Sequence, residues 1–197
     1  ARPMTEALID SHDAALFDLD GVVYLGSEVV PAAPATMSRL RARGVGVGFV
    51  TNNAARATTV VADQLTDMGI PAAPSDVVSS AEAVTALVAT ELGQGTRVLI
   101  AATSNVDDLA RQRGLVPVHS ADEHPQAVIQ GYDPDIEWSR LEEAAFAVQA
   151  GAHWYASNPD MTRPTDRGLV PGLGAQLAVV GACVDREPTM AGKPCLL

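Results

Sequence analysis

Asp18 and Asp20 stand two residues apart, after the apolar, β-prone run Ala14-Ala15-Leu16-Phe17 and before Gly21-Val22-Val23. Residues i and i+2 of a strand project to the same face, so both carboxylates are expected on one side while Leu19 turns into a core. Like charges held that close repel, which calls for a cation beside them or a shared proton. Gly21 permits a sharp departure of the backbone that a side chain would hinder. The pattern points to a metal-assisted carboxylate site, with a solvated strand end as the plain alternative. A calcium loop is excluded by spacing: its glycine belongs at the sixth position, not the fourth, and Val29 stands where its final Glu should be.

A second chemical signal lies far along the chain. Of 13 basic residues only Lys193 is a lysine, within Ala191-Gly192-Lys193-Pro194. A compact ammonium on a flexible stem is not interchangeable with a guanidinium where a point charge must enter a crowded site. Chance and biased codon usage would give the same count. Gly192-Lys193 is not a phosphate loop of the nucleotide-binding kind, because Pro194 replaces Ser/Thr and Glu187 occupies the first glycine position.

The elements that must position these residues alternate regularly. The chain has 197 residues, enough for one sizeable core or a core with an insert. After the first strand, Val22 to Val30 reads as a small hairpin or flap. Residues 31–43 read as a helix ended by Gly44, and 45–50 as a strand of nearly unbroken apolar character, as of one covered on both faces. That strand ends in Thr51-Asn52-Asn53. A helix over 54–68, a strand over 76–80 and a helix over 81–92 complete a βαβαβ order, which predicts a parallel sheet. Ligands bind beyond the carboxyl ends of such strands, where Asp18, Asp20 and Thr51-Asn52 fall. The pattern restarts after Gly95, with strands at 97–102, 115–119, 126–132 and 153–157 and helices at 105–112, 136–150 and 174–184. The fold expected is α/β, a Rossmann-like parallel-sheet core with an inserted α/β cap: core 1–93, cap 94–187, and a returning core segment 188–197.

Composition narrows the partners. With 47% hydrophobic and 19% charged residues the chain is globular. A formal net charge of −11 argues against nucleic acid and against anionic membranes. No apolar run is long enough for a membrane span, and Ala1 to Glu6 lacks the order of a secretory signal. Cys183 and Cys195 form no CxxC and no zinc spacing, so a reducing cytoplasm is the expected compartment.

Taken together, Phe17-Asp18-Leu19-Asp20-Gly21-Val22-Val23-Tyr24, Val50-Thr51-Asn52-Asn53 and Gly192-Lys193-Pro194 resemble the three successive motifs of the haloacid-dehalogenase superfamily. Their wording and the large insert between the second and third are similar to the branch that contains p-nitrophenylphosphatase, phosphoglycolate phosphatase and glycerol-3-phosphate phosphatase. The resemblance covers nearly the whole chain. It implies a phosphatase of small phosphorylated metabolites in which Asp18 attacks phosphorus to form an aspartyl-phosphate. Asp20 would protonate the leaving alkoxide and then activate water. Thr51 by its hydroxyl, Asn52 by its amide, and Lys193 would hold the phosphoryl group. A carboxylate approaching a phosphate dianion meets repulsion of about 4 kcal/mol per charge pair at an effective dielectric near 20. One lysine offsets only part of that, so Mg²⁺ is expected at Asp18 and Asp20, the latter through its main-chain carbonyl as the resemblance implies. Pairing of two copies through the cap is the oligomer it suggests.

The chain departs from that pattern at its end. It stops four residues past Lys193, before the acidic Gly-Asp motif that completes the metal ligands in the superfamily. A chain cut from a longer protein is therefore expected, with Ala14–Phe17 left as an exposed sheet edge, weak Mg²⁺ binding and little turnover; the start at Ala1 is read the same way. The rival class is a regulatory or binding protein on the same fold. A phospho-acceptor switch domain would put its Asp after the third strand, where Ser79-Ser80 stand.

Lesser signals have plain alternatives. His119, Asp122, Glu123 and His124 crowd one loop, as metal ligands or as a solvated turn. Asn158-Pro159-Asp160 is similar to a cap segment of this branch and faces substrate or simply turns the chain. Gly172-Leu173-Gly174 lacks a preceding strand and a third glycine for a dinucleotide site. Trp138 and Trp154 are expected to pack the insert.

Overall fold

The computed structural model describes residues 8–165 and 167–194. The start at Ala1, Cys195 and the end at Leu197 lie outside them. Two compact units emerge: Ala1–Val50 with Thr58–Val78, and Thr51–Ala57 with Ser79–Leu197.

The first unit is built on a three-stranded sheet in the order β1-β4-β5, with β1 Ala14–Asp18, β4 Gly46–Thr51 and β5 Val77–Ser79. β1 and β4 are parallel. Between them lie the antiparallel hairpin β2 Tyr24–Leu25 and β3 Glu28–Val29, and helix α1 Ala33–Ala42; helix α2 Thr58–Asp67 follows β4. Pro34 suits the first turn of α1, where its missing N–H costs nothing, and Gly44 at φ 80° ends the turn that follows. Leu19, Met37, Phe49, Leu65 and Ile70 fill the core. β4 does not have the full cover its apolar run suggested: Phe49 is buried, Val47 and Val50 are half-buried. At Gly48 a Cβ would meet Leu16 Cδ2 at 2.8 Å, the far end of an exposed side chain that can move aside. β1 is an edge strand among the described residues, and Leu16 is 72% exposed.

The second unit holds a five-stranded sheet in the order β12-β9-β8-β6-β7, parallel throughout. Its strands are β6 Arg97–Ala101, β7 Val116–Val118, β8 Ala127–Gln130, β9 His153–Ala156 and β12 Thr189–Met190. Helices α3 Ser80–Leu92, α4 Ser104–Gln112, α5 Trp138–Gln149 and α6 Leu173–Gly181 accompany it. Alternation along the strands splits the core in two. Val98, Ile100, Ala127, Ile129 and Tyr155 pack with α3 and α4, while Leu99, Val128, Trp154 and Ala156 pack with α5 and α6. Apolar cover on both faces is why these strands read as continuous hydrophobic runs. α3 opens on a reciprocal cap: Ser79 Oγ accepts from Glu82 N–H at 3.3 Å and Glu82 Oε2 from Ser79 N–H at 3.2 Å. Compactness groups α3 and Thr51–Ala57 with the second unit, whereas the sequence reading placed them in its first segment.

Two features were absent from the sequence reading. One is the hairpin β10 Thr162–Thr165 and β11 Gly168–Pro171, with the Arg163 guanidinium 5.0 Å from the centre of the Tyr132 ring. The other is β12. Trp154 is buried and donates from Nε1 to Gln130 Oε1 at 2.8 Å. Trp138 is not packed as expected: at the first position of α5 it is 64% exposed.

Candidate active site

In the first unit, the acidic pair sits on a tight turn at the carboxyl end of β1. Leu19 is fully buried, and its carbonyl accepts from Val22, Val23 and Tyr24 N–H at 3.2, 2.9 and 3.3 Å. Gly21, at φ 81°, donates to Tyr24 O at 2.7 Å. This wrapping around one carbonyl turns Leu19 inward and leaves both Asp18 and Asp20 exposed. Asp18 Oδ1 accepts the N–H of Leu19 at 2.8 Å. Across the sheet, Asp18 is in register with Val50, the residue before Thr51.

In the second unit, Thr51 to Ala57 is held from several directions. Thr51 is 2% exposed, and its Oγ1 accepts from Asn53 N–H at 3.0 Å. The Asn52 carbonyl accepts from Ser80 Oγ at 2.6 Å and Asn158 Nδ2 at 2.7 Å. Asn105 Nδ2 donates to Ala54 O at 3.1 Å, and Thr103 Oγ1 to Ala55 O at 3.4 Å. The Asn52 side chain binds Lys193 at two points, accepting from its N–H at 3.0 Å and donating to its carbonyl at 3.1 Å. Asn52 Nδ2 also donates to Asp160 Oδ2 at 3.0 Å. Asp160 is tied in turn to Asn158, whose Oδ1 accepts the Asp160 N–H at 3.1 Å.

This unit thus brings together Thr51, Asn52, Asn158, Asp160 and the Lys193 main chain. Ser80, Thr103 and Asn105 are the members sequence reasoning missed, while Gly192 stands in the third motif, Gly192-Lys193-Pro194. Gly192 is required by close approach: a Cβ would lie 2.3 Å from Ser157 O and 2.8 Å from Asn52 Oδ1. A comparable constraint explains Gly172 and Gly174, where a Cβ would strike the carbonyls of Asp160 and Pro159 at 2.3 and 2.6 Å. The signal available beforehand was the cluster of short polar side chains just past predicted strands.

The His119–His124 loop is a self-capped turn. Glu123 Oε1 accepts from the N–H groups of His119 and Ser120, and these bonds hold its carboxyl below the usual range. No three His, Cys, Asp or Glu side chains among the described residues are arranged to hold a metal. His119 instead contacts Arg140 and, at 3.6 Å, Asp107. Burial raises the Asp107 carboxyl, opposed by His119, Arg111 and Arg140. No helix among the described residues is long and apolar enough to cross a membrane.

Comparison with known proteins agrees with this architecture. The chain is 41% identical over 189 residues to D-glycerol 3-phosphate phosphatase of Mycobacterium tuberculosis, covering 96% of this chain and 53% of that protein. It is 34% identical to an acid sugar phosphatase of Staphylococcus aureus, covering 93% of this chain and 70% of that one. The chain therefore spans about half the length of the first relative. A crystal structure of a glycerol phosphate phosphatase from M. tuberculosis in complex with magnesium superposes with a TM-score of 0.91 at 40% identity, covering 96% of this chain and 56% of that one. A 4-nitrophenylphosphatase from Thermotoga maritima gives 0.88 at 26% identity, covering 96% and 71%. Residues 15–116, which include the acidic turn and the Thr51 loop, match the family described as haloacid dehalogenase-like hydrolase. The chain belongs to the haloacid dehalogenase-like hydrolase family.

Proposed function

We propose that this chain carries the catalytic elements of a Mg²⁺-dependent phosphatase of small phosphorylated metabolites, acting in the cytoplasm. The observation that carries the reading is the Asp18-Leu19-Asp20-Gly21 turn at the carboxyl end of β1 in a chain of this family. Asp18 attacks phosphorus, and the electron pair of the broken P–O bond leaves on the alkoxide. Asp20 donates its proton to that alkoxide. Water then attacks the aspartyl-phosphate while Asp20 takes a proton from that water, and the P–O bond to Asp18 breaks to release phosphate and restore the carboxylate. Thr51 and Lys193 hold the phosphoryl group, with Asn52 next to Thr51 on the same segment.

The donor set at the turn fits a hard cation, since it offers carboxylate and main-chain oxygens with neither thiol nor imidazole. Asp18 and the Asp20 carbonyl would hold Mg²⁺, which when bound would offset the repulsion between Asp18 and a phosphate dianion. Residues 94–187 act as a cap that keeps large substrates out, and two copies pair through it. The relatives named above favour glycerol 3-phosphate and sugar phosphates, with phosphoglycolate and nucleotide monophosphates as further candidates.

The test is hydrolysis of glycerol 3-phosphate, a panel of sugar phosphates and p-nitrophenyl phosphate, with and without Mg²⁺, by this chain and by a form that carries the native downstream sequence. Metal-dependent release of phosphate that Asp18→Asn abolishes is expected. Turnover that survives Asp18→Asn overturns the assignment.

A further inference from the structure

We infer that the Asn52 side chain is a positioning residue that fixes the Lys193 main chain, and that its amide does not touch the phosphoryl group. This deepens the phosphatase reading above and rests on it. A primary amide has two N–H donors and one carbonyl acceptor. Both donors of Asn52 are taken, one by Lys193 O at 3.1 Å and one by the Asp160 carboxylate at 3.0 Å. Its acceptor takes the Lys193 N–H at 3.0 Å. The amide orientation follows from these partners. Reversed, it would set NH₂ against an N–H and a carbonyl oxygen against both a carbonyl and a carboxylate.

Gripping the N–H and the C=O of one residue fixes that residue in position and in rotation. Lys193 is the residue gripped, and it carries the lone ammonium of the sequence. The grip is itself anchored, because the Asn52 carbonyl is held by Ser80 and Asn158. Gly192 closes the approach, with no room for a Cβ beside Asn52 Oδ1. Asp160, being charged, strengthens its bond to Asn52 and links the 157–160 segment to the same amide. The phosphoryl contact at this strand end then falls to Thr51, whose Oγ1 accepts from Asn53 N–H and keeps its own proton to donate.

A polarity swap made in the full chain tests the assignment. Asn52→Asp keeps an acceptor for Lys193 N–H but sets a carboxylate against Lys193 O and Asp160. Its kcat on p-nitrophenyl phosphate should fall on the order of 100-fold. Adding Asp160→Asn returns a donor at the other side of that bond and should recover about tenfold. An Asn52 that contacts phosphate directly predicts no recovery, because the new carboxylate would face the substrate whatever stands at 160; that result overturns the inference. Hydrogen exchange gives a readout independent of turnover. In Asn52→Ala the Lys193 amide should exchange about tenfold faster while core amides keep their protection. Unchanged Lys193 protection overturns the inference even in an active enzyme. No Mg²⁺-dependent hydrolysis by the form that carries the native downstream sequence, together with an Asn52-dependent Lys193 amide, would sink the phosphatase reading alone.

Discussion

Asp18 pairs in register with Val50 across two parallel strands, at the carboxyl end of β1. A slip of β1 by one residue would turn Asp18 to the opposite face and Leu19 out of the core. Fully buried Leu19 therefore sets the direction of both carboxylates.

Asp18→Asn separates chemistry from folding. The amide carbonyl still accepts the Leu19 N–H, and the position is exposed, so stability should move by no more than about 0.5 kcal/mol. Phosphatase turnover should fall on the order of 10³-fold or more, because an amide is no nucleophile toward phosphorus. Urea denaturation and a phosphate-release assay on the same preparation check both halves.

Asp20→Asn should discriminate among leaving groups. An alkoxide such as that of glycerol must be protonated as it departs, whereas p-nitrophenolate leaves unaided. Loss of the general acid should therefore lower kcat about 10²-fold or more for glycerol 3-phosphate and much less for formation of the phosphoenzyme from p-nitrophenyl phosphate. Burst kinetics of nitrophenol release measure that step directly. Equal losses with both substrates would remove Asp20 from the acid role.

Gly192→Ala should damage both stability and activity. The added methyl meets Ser157 O at 2.3 Å and Asn52 Oδ1 at 2.8 Å, and neither neighbour is the loose end of a long side chain. Overpacking of this kind costs about 1–3 kcal/mol. Lys193 shifts with its neighbour, so kcat should drop about tenfold or more. Chemical denaturation and steady-state kinetics report the two effects.

Asp107 makes the stability of the second unit depend on pH. One of its oxygens is buried without a hydrogen bond, and burial lifts the carboxyl above its ordinary value of 3.8. The folded chain thus keeps this proton where the unfolded chain has lost it. The stabilisation is complete below 3.8 and is lost as pH rises through the raised value. Asp107→Asn removes that titration, so the variant should gain stability relative to wild type across this window and hold a constant difference above it. Urea midpoints from pH 3 upward, kept below the histidine range, measure it.

Much of this was legible in the residues. An apolar run ending in Asp-Leu-Asp-Gly announces a strand that stops at a polar turn, although β1 is an exposed edge and not the buried strand its composition suggests, and the glycine closures after helices marked the βαβ order. What escaped was long-range or short. Asn52 and Lys193 are 141 positions apart, and no local pattern tells that a side-chain amide will seek that peptide group. The β10–β11 hairpin was hidden by Pro164 and Pro171, which normally argue against a strand. β12 has only two residues, too few to show a period. Trp138 was assigned to the interior by its size, yet as the first residue of α5 it is free to point outward.

The tethers on the Thr51–Ala57 segment are duplicated. Ser80, the near neighbours Thr103 and Asn105, and Asn158 come from three stretches of chain and reach three of its carbonyls. Removing any one leaves the others in place, so losing one of those four side chains should cost less than losing the Asn52 amide. The amide of Asn52 meets Lys193 at two points and Asp160 at a third, so one side chain ties two distant stretches of chain to this segment.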